Sequence, residues 1–211
     1  MNSIMYQHPR IYEAFMRILH GRSLEERYRI IADEVGENKR VLDVGCGTGM
    51  PADYLKDGCR YTGIDLNKSF IDFARSRGRR IIQGDLFDER NYSDSDVILV
   101  CDVLHHVIPN HDRLIDICKR KAGKIIICEP YRSRGVMQNL LQFFRSNRLY
   151  HYVFGDSDGI NSFEDMVEWN AFEMEDVRSM MESYGAKRIM RLGNHLIGVV
   201  DVDGRMASRA S

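Results

Sequence analysis

Apolar side chains along this chain follow two periods. Short runs rich in aliphatic residues, Val41 to Val44, Tyr61 to Ile64, Arg80 to Ile82, Val97 to Cys101 and Lys124 to Cys128, recur at near-regular spacing with helix-like stretches between them. Such runs suit strands buried on both faces, and strands alternating with helices imply right-handed crossovers and a mostly parallel sheet. Near the start, Ile11, Phe15, Ile18 and Leu19 share one helical face, and Leu24, Tyr28, Ile31 and Val35 share another, with Gly21 between them. This predicts two helices covering a face or edge of the sheet, the second opened by a capping box of Ser23 and Glu26. Near the end, Met174, Val177, Met181 and Tyr184 predict a helix closed by Gly185. Residues 186–192 and 195–201 then predict two strands joined by a tight turn at Gly193-Asn194.

The first run leads into Asp43 and three alternate glycines, Gly45, Gly47 and Gly49, with Cys46 and Thr48 between them. Glycines there let the backbone turn with positive φ and let a ligand approach without Cβ atoms in the way. Pro51 then favours the first turn of a helix expected over residues 51–56. The dinucleotide fingerprint wants its third glycine one position later, where Met50 stands, and the lysine of a phosphate-binding loop is missing. A glycine turn alone is a weak signal, equally compatible with a generic tight turn.

More weight falls on the strand ends. Asp65 closes the second run, 20 positions after Gly45, and Asp85 closes the third. A strand-end acid there can accept from both hydroxyls of a ribose, and one on the next strand can accept from an exocyclic amine while Leu86 packs on the ring. Ligands of open parallel sheets bind outside the carboxyl ends of the strands, so Asp43, Asp65 and Asp85 are expected to converge on one crevice.

At Leu42-Asp43-Val44-Gly45-Cys46-Gly47-Thr48-Gly49 the chain resembles the cofactor loop of the class I S-adenosylmethionine-dependent methyltransferases, and the resemblance extends from about residue 40 to about 201. It implies an α/β fold, a Rossmann-like three-layer sandwich whose mostly parallel seven-stranded sheet ends in an antiparallel hairpin. It implies S-adenosyl-L-methionine as cofactor, held by Asp43, Gly45, Cys46, Gly47, Gly49, Asp65, Leu66, Asp85, Leu86, Cys101 and Asp102. It also implies that the stretch after the fourth strand, containing His105 and His106, borders the reacting methyl group. Adjacent residues cannot face the same way on a helix or strand, so one histidine is expected in the site, His105 in preference, with the other packing or capping.

The expected organisation is a single domain: an N-terminal helical lid over residues 1–36, a cofactor-binding core over 37–130, a helical insert over 131–172, a helix and hairpin over 173–202, and a disordered tail over 203–211. The lid offers Tyr6, His8, Arg10 and Tyr12. The insert is rich in aromatics, Trp169 among them, and lies after Arg132 and Arg134, which could bind an acidic acceptor group. Tyr6, Tyr12, Arg132, Arg134 and Trp169 are therefore the candidate acceptor contacts. A peripheral membrane contact through the insert is the alternative use of its apolar face.

Composition narrows the partners. With 30 basic and 31 acidic side chains among 211 residues, no global field draws the protein to nucleic acid. The arginine run Arg75, Arg77, Arg79 and Arg80 is expected to be a solvated face at the far end of the sheet. The five cysteines lack metal-ligand spacing and read as buried thiols, and no run approaches a membrane span, so a cytoplasmic protein is expected. The leading reading is a methyltransferase acting on a small-molecule acceptor. An RNA methyltransferase, a non-catalytic cofactor-binding module and an NAD-dependent oxidoreductase remain as rivals. The misplaced third glycine and the terminal hairpin count against the last.

Overall fold

The computed structural model describes residues 7–132 and 172–202. Its centre is a seven-stranded sheet in the order β3-β2-β1-β4-β5-β7-β6. The strands are β1 (Arg40–Val44), β2 (Arg60–Asp65), β3 (Ile81–Gln83), β4 (Ser95–Cys101), β5 (Ala122–Pro130), β6 (Arg188–Leu192) and β7 (His195–Asp201). β1 to β5 run parallel, and β7 lies antiparallel to both β5 and β6. The described helices are α1 (Pro9–His20), α2 (Arg22–Val35), α3 (Lys68–Ser76), α4 (His111–Lys121) and α5 (Met174–Ser183).

Alternation along the strands divides the core between two layers. Leu42, Val44, Ile98, Val100, Ile125 and Ile127 pack with Leu114 of α4 and with Val177 and Met181 of α5. Val41, Val97, Leu99, Ile126 and Ile197 pack on the other face with Leu24, Tyr28, Ile31 and Val35 of α2. Both faces of the parallel strands are covered, which is why their sequences read as continuous apolar runs.

Three local expectations fail for identifiable reasons. The glycine loop opens only a short 3-10 turn, Met50–Asp53, instead of a helix over residues 51–56. The chain must travel from Gly49 back to Arg60 at the far end of the sheet. Tyr54 ends the 3-10 turn, and a second turn at Gly58 (φ 74°) delivers the chain to β2, where the Arg60 N–H donates to the Lys39 carbonyl at 2.8 Å. The capping box is absent as well. Gly21 (φ 51°) is the N-cap of α2, so Ser23 lies inside the helix, where its hydroxyl donates to the His20 carbonyl at 2.5 Å.

The third failure concerns α1. Its richer apolar face points outward, with Ile11 52%, Ile18 81% and Leu19 51% exposed, while Tyr12 and Met16 pack on the core and Glu13 is buried between them. The inner face is set by a partner for Glu13, the Arg77 guanidinium, rather than by aliphatic content. The expected helix in the insert, the tail over 203–211, Tyr6, Arg134 and Trp169 lie outside the described residues.

Gly63 of β2 shows how closely the loop is seated. A Cβ there meets the Ile81 side chain at 2.7 Å and comes closer still to Cys46 Sγ. Gly63→Ala is expected to destabilise the fold by about 1–3 kcal/mol, the usual cost of overpacking a filled site. Chemical denaturation followed by circular dichroism measures it.

Candidate cofactor and acceptor site

The loop after β1 is held by backbone bonds before any ligand is considered. Gly45 and Cys46 both donate to the Ile64 carbonyl, at 2.9 and 3.0 Å, and Gly49 donates to the Cys46 carbonyl at 2.8 Å. Gly45 has φ 69°, and a Cβ on it meets Val103 Cγ2 at 2.6 Å, so both conformation and space demand glycine. Cys46 brings backbone to the loop, since its side chain is buried beside Gly63 and burial pushes the thiol pKa well above its ordinary value. The buried hydroxyl of Thr48 has no hydrogen-bond partner among the described residues.

The strand-end acids do not act alike. Asp65 Oδ2 accepts from the Gly47 N–H and Oδ1 from the Asn67 N–H, both at 2.7 Å. Two carboxylate oxygens offer four acceptor positions, so capacity remains for a ligand hydroxyl. Burial raises this carboxyl's pKa, against those backbone bonds. Asp85 is exposed at the end of the neighbouring strand, where Oδ1 accepts from the Phe87 N–H at 2.8 Å, and Leu86 is buried behind it. Leu66 is exposed beside Asp65.

Asp43 departs from the expected convergence. It lies within β1 on the same face as Val41, is 2% exposed, and accepts from the Tyr61 hydroxyl at 2.7 Å. Burial pushes its pKa up to about 7, with the Asp65 charge adding to the shift and the Tyr61 bond opposing it. Asp43 therefore supports the loop from within the core.

The arginine run is likewise not a solvated face. Arg79 is buried, donates from Nη1 to the Thr48 carbonyl, and places Nη2 2.6 Å from Asp53 Oδ1. Arg77 bridges Asp53 at 3.2 Å and Glu13 of α1 at 3.1 Å. Arg75 donates to the Ile81 carbonyl, and only Arg80 remains a simple exposed cation in this group. Arginines adjacent in sequence thus have separate tasks at the loop.

Beyond β4, Leu104–His106 form a 3-10 turn. Both histidine rings lie side by side, with centroids 4.2 Å apart, instead of dividing between site and packing. His105 Nδ1 is 2.8 Å from Glu129 Oε2, and Glu129 is fully buried (0% exposed) at the end of β5. Glu129 Oε1 accepts from the N–H groups of Val103 and Leu104, both at 2.8 Å. A carboxylate so placed calls for a donor at its second oxygen, which assigns the proton to Nδ1 and leaves Nε2 as the basic nitrogen. His106 lies close enough to Asp65 to favour its charged form.

A second charged cluster occupies the same end of the sheet. Asp102, at φ 57°, follows the half-buried Cys101 and lies 2.9 Å from Arg27 Nη1 and 3.1 Å from His195 Nε2. Burial raises the Asp102 pKa, but the Arg27 and His195 charges outweigh it and hold the carboxyl well below the usual carboxylate range. Arg27, on α2, is 2% exposed, and Nε and Nη2 find no hydrogen-bond partner among the described residues.

Tyr12 packs its ring on Phe70 with centroids 4.8 Å apart, and Phe70 in turn lies 3.7 Å from where a Gly47 side chain would begin. That places Tyr12 at the edge of the loop. Arg132 is exposed and bridges its backbone to Glu173. Glu129, Arg27, Arg79 and His195 are the residues that sequence reasoning missed. For Glu129 a signal existed: an acid between an apolar strand and Pro130, at the carboxyl edge already singled out.

A profile of the family described as "Methyltransferase domain" matches residues 42–126. The chain is 40% identical over 174 residues to the Fatty-acid O-methyltransferase of Mycolicibacterium smegmatis, covering 72% of this chain and 61% of that one. It is 45% identical over 49 residues to the 18S rRNA (guanine-N(7))-methyltransferase of Bos taurus, covering 22% of this chain and 17% of that one. The chain therefore spans less than two thirds of either relative. Among solved structures, magnesium protoporphyrin IX methyltransferase (ChlM) from Synechocystis, with bound SAH, aligns at a TM-score of 0.57 and 16% identity, over 87% of this chain and 83% of that chain. At that identity the likeness shows the fold.

The raised pKa of Asp43 has a definite sign. Its folded-state value of about 7 lies above the ordinary 3.8, so its contribution to stability is lost as pH rises through that interval. Asp43→Asn keeps an acceptor for Tyr61 and removes the titration. Relative to wild type, the variant is expected to gain at least about 1 kcal/mol between pH about 5 and pH about 8, given about 1.4 kcal/mol per pKa unit. Denaturation at both pH values reads the difference, and a flat difference refutes the assignment.

Proposed function

We propose that the chain is a class I S-adenosylmethionine-dependent methyltransferase and that it methylates an oxygen of a small-molecule acceptor. The cofactor, when bound, supplies an activated methyl group on a positively charged sulfur. The residues at the carboxyl edge suit it: a loop free of Cβ atoms at Gly47 and Gly49, an orphaned Thr48 hydroxyl, and acceptor positions left on Asp65. In this reading Asp65 takes the ribose hydroxyls, Asp85 and Leu86 take the adenine, with Leu66 beside them, and Cys101 and Asp102 border the methionine part.

The observation that carries the oxygen acceptor is the His105–Glu129 pair. A hydroxyl must lose its proton as it becomes an ether oxygen. The Glu129 carboxylate orients the imidazole and stabilises its protonated form, so Nε2 can take that proton. The chain's other contribution is alignment and exclusion of water, which can remove on the order of 7–11 kcal/mol of barrier. The name of the Mycolicibacterium smegmatis relative, an O-methyltransferase of fatty acids, supports a small acceptor reacting at oxygen. The short match to the rRNA enzyme makes RNA the second reading.

Incubation with radiolabelled S-adenosylmethionine and panels of hydroxyl-bearing and carboxyl-bearing small molecules, with RNA as a third arm, tests the proposal. Turnover on a hydroxyl acceptor is expected, and His105→Ala should lower kcat by about 100-fold to 10,000-fold with little change in KM for the cofactor. Glu129→Gln should have nearly the same effect, because an amide NH2 facing Nδ1 imposes the tautomer with hydrogen on Nε2. Unchanged turnover in His105→Ala, or transfer to carboxylates alone, overturns the role of the base. Transfer to RNA alone overturns the small-molecule reading.

A further inference from the structure

The three alternate glycines have no side chains with which to hold their own loop, and each has positive φ. What holds the distal half is a chain of charges. The Thr48–Gly49 peptide is pinned from both sides, its carbonyl by Arg79 Nη1 and its N–H by the Cys46 carbonyl at 2.8 Å. Arg79 is itself gripped by Asp53 at 2.6 Å, Asp53 by Arg77 at 3.2 Å, and Arg77 by both carboxylate oxygens of Glu13, at 3.1 and 3.2 Å. Glu13 and Arg79, the two ends of this relay, are buried, while Asp53 and Arg77 in its middle are partly exposed.

We propose that Arg79 is a positioning residue for the cofactor, and that the Glu13–Arg77–Asp53–Arg79 relay makes cofactor affinity depend on the docking of α1. The inference rests on the methyltransferase reading and concerns the same site. None of the four side chains needs to touch the cofactor. Arg79 acts through the Thr48 carbonyl, and Glu13 acts through the three links between. The fork of an arginine reaches the carbonyl and the carboxylate at once from different nitrogens, which a lysine ammonium on a flexible stem does poorly. The relay also gives α1 a reason to bury an acid while leaving Ile11, Ile18 and Leu19 outside. Helix and loop settle together, so a loop freed from the relay samples conformations that do not bind.

Calorimetric titration with S-adenosylhomocysteine, on wild type, Arg79→Lys, Glu13→Gln and the double variant, tests this at a temperature at which circular dichroism shows all four folded. Arg79→Lys is expected to weaken binding tenfold or more, and Glu13→Gln severalfold although Glu13 lies on another element. The double variant should fall short of the product of the two effects. In the methyl-transfer assay the Glu13→Gln change should appear in KM for the cofactor and leave kcat unchanged. A purely structural role for Glu13 lowers melting temperature without changing affinity, and that result overturns the relay, as does multiplication of the two effects. Wild type that fails to bind S-adenosylhomocysteine overturns the cofactor reading and the relay with it.

Discussion

The Asp65 carboxylate joins two turns that the sheet alone leaves separate. One oxygen ties the loop after β1 through Gly47, and the other ties the turn after β2 through Asn67. Asn67 then caps α3 by accepting from Ser69 and Phe70, and Phe70 buries its ring under the loop beside Tyr12. One side chain thus sets the loop, the start of a helix and, through that helix, the edge at which α1 docks. Its cost is visible in the raised pKa: burial disfavours the charge, and the backbone N–H groups of Asn67, Gly47 and Leu66 offset only part of that. A ligand offering two hydroxyls would supply further bonds to a carboxylate already oriented to receive them, which is a form of preorganisation.

Much of this architecture is legible in the chain because burial on both faces leaves an unambiguous pattern. All seven strands lie where aliphatic runs or the hairpin turn place them, to within a residue or two at most ends. Asp65 is legible because it follows an apolar run directly, and Asp85 because only Gln83 and Gly84 separate it from Ile82. Asp43 looked equivalent and is not, and the difference follows from alternation: two residues after Val41, it shares that side chain's face and is buried with it.

Other features depend on contacts between distant segments, which a one-dimensional pattern does not contain. Arg75, Arg77, Arg79 and Arg80 read as a charge run, yet Arg77 and Arg79 are paired with Glu13, Asp53 and the Thr48 carbonyl, 26 or more positions away except for Asp53 to Arg77 at 24. The outward face of α1 is hidden from the pattern for the same reason, since apolar content alone does not reveal that a buried glutamate has a guanidinium partner. The stacked His105 and His106 follow from a 3-10 turn, a geometry that a choice between helix and strand omits.

The carboxyl ends of β4 and β5 concentrate strain and charge at adjacent positions. Asp102 adopts φ 57°, a conformation costly for a residue with a Cβ, and its N–H donates to the Cys128 carbonyl at 2.8 Å. This kink ends β4 and turns Val103 and Leu104 so that both N–H groups meet Glu129 Oε1. With that oxygen occupied, Oε2 is the one left to His105. The Asp102 side chain meanwhile neutralises Arg27, a cation that burial penalises and that no other described carboxylate pairs with. Backbone strain at one residue therefore serves two ends: it aims the histidine through Glu129, and it places a carboxylate against a buried guanidinium.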